Sequence, residues 1–567
     1  MKINLKYNPE RVLYTLQYLF AGIIFISVFW FSFFYLLYNL GSLKSWYLEI
    51  SPCMYNVDGW SAWFNPSTKA SGNLYCILAM VTSLIGLIYV SWKLRGSTKG
   101  DKRHLLIDIH SLDLLFPVLL AIAQLCLWLG GQALVAPSFD EIFSAVNCAG
   151  IPVFQCLSYY MLPNNHVFFN VLNNILFHGA SDHVFTGRLI SLMAYLVLVI
   201  WAYFRFLKQF KNQVYAFLAA VVLAVQFPLW GFGFQARGYE IYALAQWGAF
   251  VLLFDYINTG NKKYLVLNSV FCVVGYITIP SFLYYHIAQI LFIALYQIWQ
   301  KKFDIRFWKY QALAILFVFY FYLPALCFSG AGAFLSNKYV SPSNASAIEF
   351  FYKVVYFFRS YIEYGFANSF FAPSILSFAL FMMPVLLFLF QKKWIGIFYV
   401  VQVVSFIGIV FLMKRYPFHR NLIGQFSIVL TISLVSAYHV FDKIRLRYFK
   451  TVFPVLMVLL AVFFFRAGFK GMSNNLYFDD ATPYYTSFGQ RLDSLPMGVI
   501  VGCSDQSFYW YYLCRNKHII VHRCPDGSED YFVKEQDELF PTGIKSSAYK
   551  LQSKVMDYEL YRKRIGD

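Results

Sequence analysis

Residues 163–192 read PNNHVFFNVLNNILFHGASDHVFTGRLISL: a polar opening, an amphipathic stretch, then the start of an apolar run. In the middle part Phe168, Val171, Leu172, Ile175 and Leu176 fall on one helical face, and Asn170, Asn173 and Asn174 fall on the other. That division suits a helix lying in a membrane interface. The run that follows, residues 185–206, is long and apolar enough to cross a bilayer. An interfacial helix feeding directly into a span is the mark of a polytopic membrane protein.

The rest of the chain carries the same message. Of 567 residues, 59% are hydrophobic, 21% aromatic and only 13% charged, against about 25% charged in ordinary soluble domains. At about 20 apolar residues per crossing, the sequence predicts roughly 13 spans. They cover 13–39, 73–93, 112–135, 185–206, 213–231, 240–257, 264–280, 282–299, 309–328, 372–391, 394–413, 422–441 and 451–467. The expected fold is therefore an all-α polytopic membrane protein. Residues 468–567 turn polar and predict a small soluble α/β domain, with a strand at 498–502, a helix at 507–515 and a second strand at 517–522.

The net charge of +18 is explained by orientation. Basic residues fill alternate loops: Lys2, Lys6 and Arg11; Lys93, Arg95, Lys99, Lys102 and Arg103; Arg205, Lys208 and Lys211; and so on to Lys443, Arg445, Arg447 and Lys450. The positive-inside rule puts these loops and the N-terminus in the cytoplasm, so an odd number of spans leaves the C-terminal domain outside. Nucleic acid is excluded as a partner. The first apolar run lacks a small-residue cleavage site and reads as a retained span. Of ten cysteines, Cys53, Cys148, Cys156, Cys503, Cys514 and Cys524 fall on the outer side, where disulfides are permitted, and none has zinc-site spacing.

Charged groups at the outer ends of spans are costly to keep and are therefore functional candidates. Asp140 and Glu141 close the third span, within an outer loop (136–184) that contains no Lys or Arg. Asn164, Asn165 and His166 open the amphipathic helix; Gln235, Arg237 and Tyr239 sit in the turn between the fifth and sixth spans; Lys414, Arg415 and Arg420 lie between the eleventh and twelfth. A carboxylate facing several cations at one interface has the parts for transfer from a phosphate leaving group. The carboxylate takes a proton from an incoming hydroxyl, and arginines hold the departing phosphate through charge-assisted bonds.

Four stretches resemble the GT-C superfamily of polyprenyl-phosphate-sugar-dependent glycosyltransferases, in particular the group of protein O-mannosyltransferases and the lipid A aminoarabinose transferase. They are FDEIFSA (139–145), the 163–192 stretch quoted above, FQARGYEIYAL (234–244) and KRYPFHRNL (414–422). The resemblance implies a GT-C-like catalytic core over 111–467, with Asp140 as base or acceptor-orienting carboxylate and Glu141 in a supporting role. It implies that Arg237, Tyr239, Gln235, Lys414, Arg415 and Arg420 serve the donor phosphate, that Asn165 and His166 line the site, and that Arg188 ties the amphipathic helix to the fourth span. In the family the acidic loop follows the first span, so residues 1–110 read as an added hairpin with its own outer loop, and 468–567 as an extracytoplasmic domain.

The expected partners are a polyprenyl-phosphate-linked sugar, a glycan, lipid or protein acceptor, and membrane lipid, in a bacterial inner membrane. No cofactor is required by this reading. It leaves a divalent metal open, for which Asp140 and Glu141 are the close oxygen ligands. A transporter or flippase of lipid-linked glycans is the alternative, but such proteins show internal repeats and mid-membrane polar groups, and no repeat is visible here.

Overall fold

The computed structural model describes residues 9–51, 55–96, 114–160, 165–180, 182–335, 346–365, 373–389, 393–414, 417–443, 448–473, 482–504, 507–517, 519–523, 525–541 and 544–564. Among these, nine helices are long and apolar enough to cross a membrane, which makes the chain a multi-pass membrane protein. The expected count of about 13 is not confirmed. Helices also occupy the other four places, but as shorter or more polar pieces. Gln213–Ala224 stops after 12 residues and resumes as Phe227–Phe232; Tyr239–Thr259 and Lys262–Thr278 form a hairpin turned by Gly260 at φ 65°; and Pro373–Met382 tightens into a 3-10 segment, Met383–Leu389. Eight cysteines lie among the described residues, all as free thiols; Cys53 and Cys524 fall outside them.

The chain forms two compact units. The first gathers residues 1–114, 157–161 and 319–335. Its long helices Pro9–Leu37 and Pro66–Gly96 run side by side, and glycines set their closeness: a Cβ on Gly86 would stand 2.5 Å from the Phe25 ring and one on Gly72 2.3 Å from the Tyr35 hydroxyl. Between them the helices Leu40–Ile50 and Val57–Trp63 close over an aromatic stack, in which Tyr47 lies 4.5 Å from Trp60 and 4.9 Å from Phe328, centroid to centroid. Trp60 also donates its indole N–H to the Phe328 carbonyl, so the buried ring keeps a polar partner.

The second unit holds residues 115–156, 162–318 and 336–567. A buried amide network ties its helices together: Asn268 donates to the carbonyl of Ala249, exchanges bonds with Gln289 and accepts from Gln311. Gln311 in turn meets His286, and His286 meets Tyr276. With no water in a hydrocarbon core, amide groups persist only when they satisfy one another in this way.

The C-terminal domain belongs to this unit and contains a five-stranded sheet in the order β2-β1-β3-β5-β4. The strands are β1 (Ile500–Cys503), β2 (Ile520–His522), β3 (Tyr531–Glu535), β4 (Tyr549–Val555) and β5 (Tyr558–Lys563). Strand β1 pairs in parallel with β2 and β3, whereas β5 runs antiparallel to β3 and β4. The crossover from β1 to β2 is the helix Phe508–Asn516, so the strand–helix–strand order expected at 498–522 is present.

Candidate functional site

The site is built on the short helix Phe139–Ser144. Ser138 caps it: the Ser138 hydroxyl accepts from the Glu141 N–H, and the Glu141 carboxylate accepts from the Ser138 N–H, a reciprocal capping box. Adjacent residues of a helix point about 100° apart, so the acidic doublet divides. Glu141 turns inward and is fully buried. Its two oxygens accept from Arg188 Nε (2.8 Å) and Nη2 (3.0 Å) and from the backbone N–H of Ala236 (2.7 Å). Asp140 stays partly exposed. Its Oδ2 lies 3.4 Å from Arg420 Nη1 and 3.7 Å from Arg237 Nη2.

Arg237 itself is carried by a non-helical turn, residues 233–238, that is buried throughout. Such backbone is tolerable at membrane depth only where the protein satisfies its polar groups. Ser191 donates to the carbonyls of Gln235 and Arg237, Trp128 donates to Gly233, Glu141 takes the N–H of Ala236, and His166 Nδ1 takes the N–H of Gly238. Gly238 cannot be larger, since a Cβ there would come within 2.7 Å of Thr278 and 3.1 Å of His166. The Arg237 guanidinium, 2% exposed, donates from Nη1 to the Asp140 carbonyl (3.0 Å) and the Ser144 hydroxyl (2.8 Å) and stands 5.7 Å from the Tyr239 ring centroid.

His166 is buried, stacks edge-on with Tyr239 and approaches Arg237 Nη2 to 3.4 Å. Burial first, then the charges of Arg237 and Arg420, hold its pKa well below the usual histidine value. The ring is therefore neutral and accepts at Nδ1, which places its proton on Nε2.

Asn165 is buried, donating to the Cys156 carbonyl and accepting from Asn170. Gln235 is likewise buried, with its carbonyl held by Ser191. Arg188 also donates to Gln132 and to the Val135 carbonyl, so it ties the acidic helix to the end of Leu115–Leu134 as well as to the fourth predicted span. Lys414 is exposed and makes no ion pair among the described residues; Arg415 lies outside them. The amphipathic helix is present as Val167–Leu176, but its polar face looks inward. Asn173 donates to the His183 carbonyl and Asn174 to those of Ala149 and Ile151, while Ile175 and Leu176 stay exposed.

Asp140 and Glu141 do not make a shared metal site, because both Glu141 oxygens are occupied by protein donors. The three residues among those described whose ligand atoms cluster for a metal are His522, Asp526 and Glu529, in the C-terminal domain. There Glu529 already accepts from His522 and from the N–H groups of Asp526 and Gly527.

One participant is invisible to sequence spacing. Arg523, in the C-terminal domain, donates to the Val146 carbonyl at 2.8 Å and to the Asn147 side chain, bracing the π-turn Ala145–Ala149 that follows the acidic helix. The same domain packs Tyr509 on Phe139 and Phe508 on Phe143, and Tyr512 hydrogen-bonds Asp182, the residue that caps His183–Phe210.

No family model matches the sequence, and no curated protein matches it. Among solved structures, ArnT from Cupriavidus metallidurans bound to undecaprenyl phosphate aligns over 78% of this chain and 97% of its own, at 11% identity and a TM-score of 0.51. Its apo state gives the same TM-score at 10% identity, with the same coverage. The oligosaccharyltransferase from Archaeoglobus fulgidus in its apo form aligns over 75% of this chain and 70% of its own, at 11% identity and a TM-score of 0.44. The likeness to ArnT is one of fold, in agreement with the polytopic helical fold expected from the sequence.

Proposed function

We propose that this chain is a membrane glycosyltransferase that moves a sugar from a polyprenyl-phosphate carrier to an acceptor hydroxyl on the extracytoplasmic face. The observation that carries the reading is the pairing of one accessible carboxylate, Asp140, with two guanidinium groups, those of Arg237 and Arg420, at 3.7 and 3.4 Å. Two positive charges against one negative leave an excess that suits a phosphate. Arg237 and the Nε2–H of His166 also approach as two donors, and an anionic oxygen between them would relieve that opposition. The ArnT structure that shares the fold is one bound to undecaprenyl phosphate, which is support by analogy.

In the reaction, the acceptor hydroxyl attacks the anomeric carbon while Asp140 receives its proton. The bond from that carbon to the phosphate oxygen breaks, and its electron pair leaves with polyprenyl phosphate, held by Arg237 and Arg420. Attack opposite the leaving group inverts the anomeric centre. Glu141, Arg188 and Ser191 act as positioning residues, since they fix the acidic helix and the Arg237 turn against each other. Loop charges favour a bacterial inner-membrane protein with its N-terminus in the cytoplasm and the C-terminal domain outside.

Purified protein in lipid nanodiscs, given a panel of radiolabelled polyprenyl-phosphate sugars and crude envelope acceptors, should release free polyprenyl phosphate. Asp140→Asn should abolish release while the melting temperature and undecaprenyl-phosphate binding stay unchanged. Undiminished release by Asp140→Asn removes that carboxylate from the mechanism; a wild-type protein that shifts lipid-linked sugar across a bilayer without cleaving it is a transporter.

A further inference from the structure

The first unit carries a groove of about 450 Å³ that the catalytic reading does not use, lined by Trp63, Ser67, Thr68, Ser71, Tyr75 and the backbone around Gly330–Gly332 among others. Its volume lies within the roughly 300–1,000 Å³ of small-molecule sites. Ser67, Ser71 and Tyr75 follow at four-residue spacing along the first turns of Pro66–Gly96, so they share one helical face. None of the three has a hydrogen-bond partner among the described residues. Asn65 and Thr68, by contrast, are engaged: Asn65 accepts from the Thr68 N–H at 3.1 Å, and the Thr68 hydroxyl donates to the Trp63 carbonyl at 2.7 Å. Trp63 is 40% exposed, and a Cβ on Gly332 would sit 3.0 Å from its ring, so the glycine lets backbone lie against the indole. The lining holds no charged side chain. The nearby Lys69 is buried and spends its ammonium on the Tyr35 carbonyl (2.6 Å) and Asn73 (2.8 Å).

An aromatic plate beside a row of uncommitted hydroxyls, with no charge, matches a ligand having an apolar ring face and a rim of hydroxyl groups. It offers nothing to balance a phosphate or carboxylate. We propose that this groove binds a neutral glycan. The binding itself does not require catalysis.

The test is saturation-transfer NMR and affinity titration on the full chain in nanodiscs, with soluble gluco-, manno- and galacto-hexasaccharides and a uronic-acid hexasaccharide as the charged control. Wild type should bind at least one neutral hexasaccharide and not the uronate. Trp63→Ala should weaken that binding about tenfold, as expected for losing an aromatic contact, and the Ser67→Ala/Ser71→Ala double variant about threefold. Both variants should keep wild-type undecaprenyl-phosphate affinity and melting temperature. The proposal is overturned if no neutral hexasaccharide binds, if the uronate binds as well as they do, or if both variants bind like wild type. It is also overturned if Asp140→Asn, but not Trp63→Ala, abolishes binding. Glycan binding that depends on Trp63 in a protein whose transfer survives Asp140→Asn would leave this groove standing and remove the catalytic assignment instead.

Discussion

His166 shows how much a single side chain is asked to do, because it serves as backbone partner to Gly238, as edge neighbour to Tyr239 and as an uncharged donor beside Arg237. Its folded pKa is depressed, so the unfolded chain takes up a proton more readily than the folded one below the ordinary value of 6.5. The stability that comes from keeping the ring neutral is complete above that pH and is lost as pH falls toward the folded pKa. Melting temperatures measured from pH 7.5 to 5.0 should therefore drop more steeply for wild type than for His166→Gln; equal slopes would show that the folded ring takes up a proton as readily as the unfolded one. Residue type and position at a span end mark Asp140, Arg237 and Arg420 as candidates in the sequence, and the structure brings their charged groups together. Residue type and position do not by themselves separate Asp140 from Glu141, which the resemblance alone distinguishes; in the structure the turn of the helix sends one outward and the other onto Arg188. Beside His166, the Asn165 amide bonds Cys156 and Asn170, contacts that spacing does not reveal.

Among elements, the helix Val167–Leu176 was legible as amphipathic, but periodicity does not say which face is covered. Here the asparagines are the covered side, because the carbonyls of Ala149, Ile151 and His183 need donors. The π-turn Ala145–Ala149 and its clamp by Arg523 could not be read at all, for the partners are more than 370 residues apart and the C-terminal stretch shows no catalytic spacing. A guanidinium bonded to a carbonyl and an amide contributes about 2 kcal/mol. Arg523→Ala should lower the transfer rate about tenfold by loosening the loop behind Asp140, with donor KM and the melting temperature of the membrane helices nearly unchanged. Unaltered turnover would mean that the C-terminal domain rests on the loop without holding it.

At the level of the whole molecule, apolar length identified each long helix, whereas the four shorter or more polar segments could be located but not counted as crossings. The break after Ala224 accompanies the short helix Phe227–Phe232 and the buried turn that carries Arg237, ahead of Tyr239–Thr259. The placement of Lys and Arg predicts an outward C-terminal domain. Maleimide labelling of a single cysteine introduced at Lys550, in a background with the native thiols replaced, should succeed in intact spheroplasts and fail in inside-out vesicles; the reverse pattern would invert the topology and put Asp140 on the cytoplasmic side. Ile175 and Leu176 meanwhile face outward from a helix whose other side is fastened to Ala149 and Ile151, just behind the acidic residue. If that face rests on lipid, the helix would act as a float on a mooring line, and a change in bilayer thickness would shift the height of the carboxylate with it.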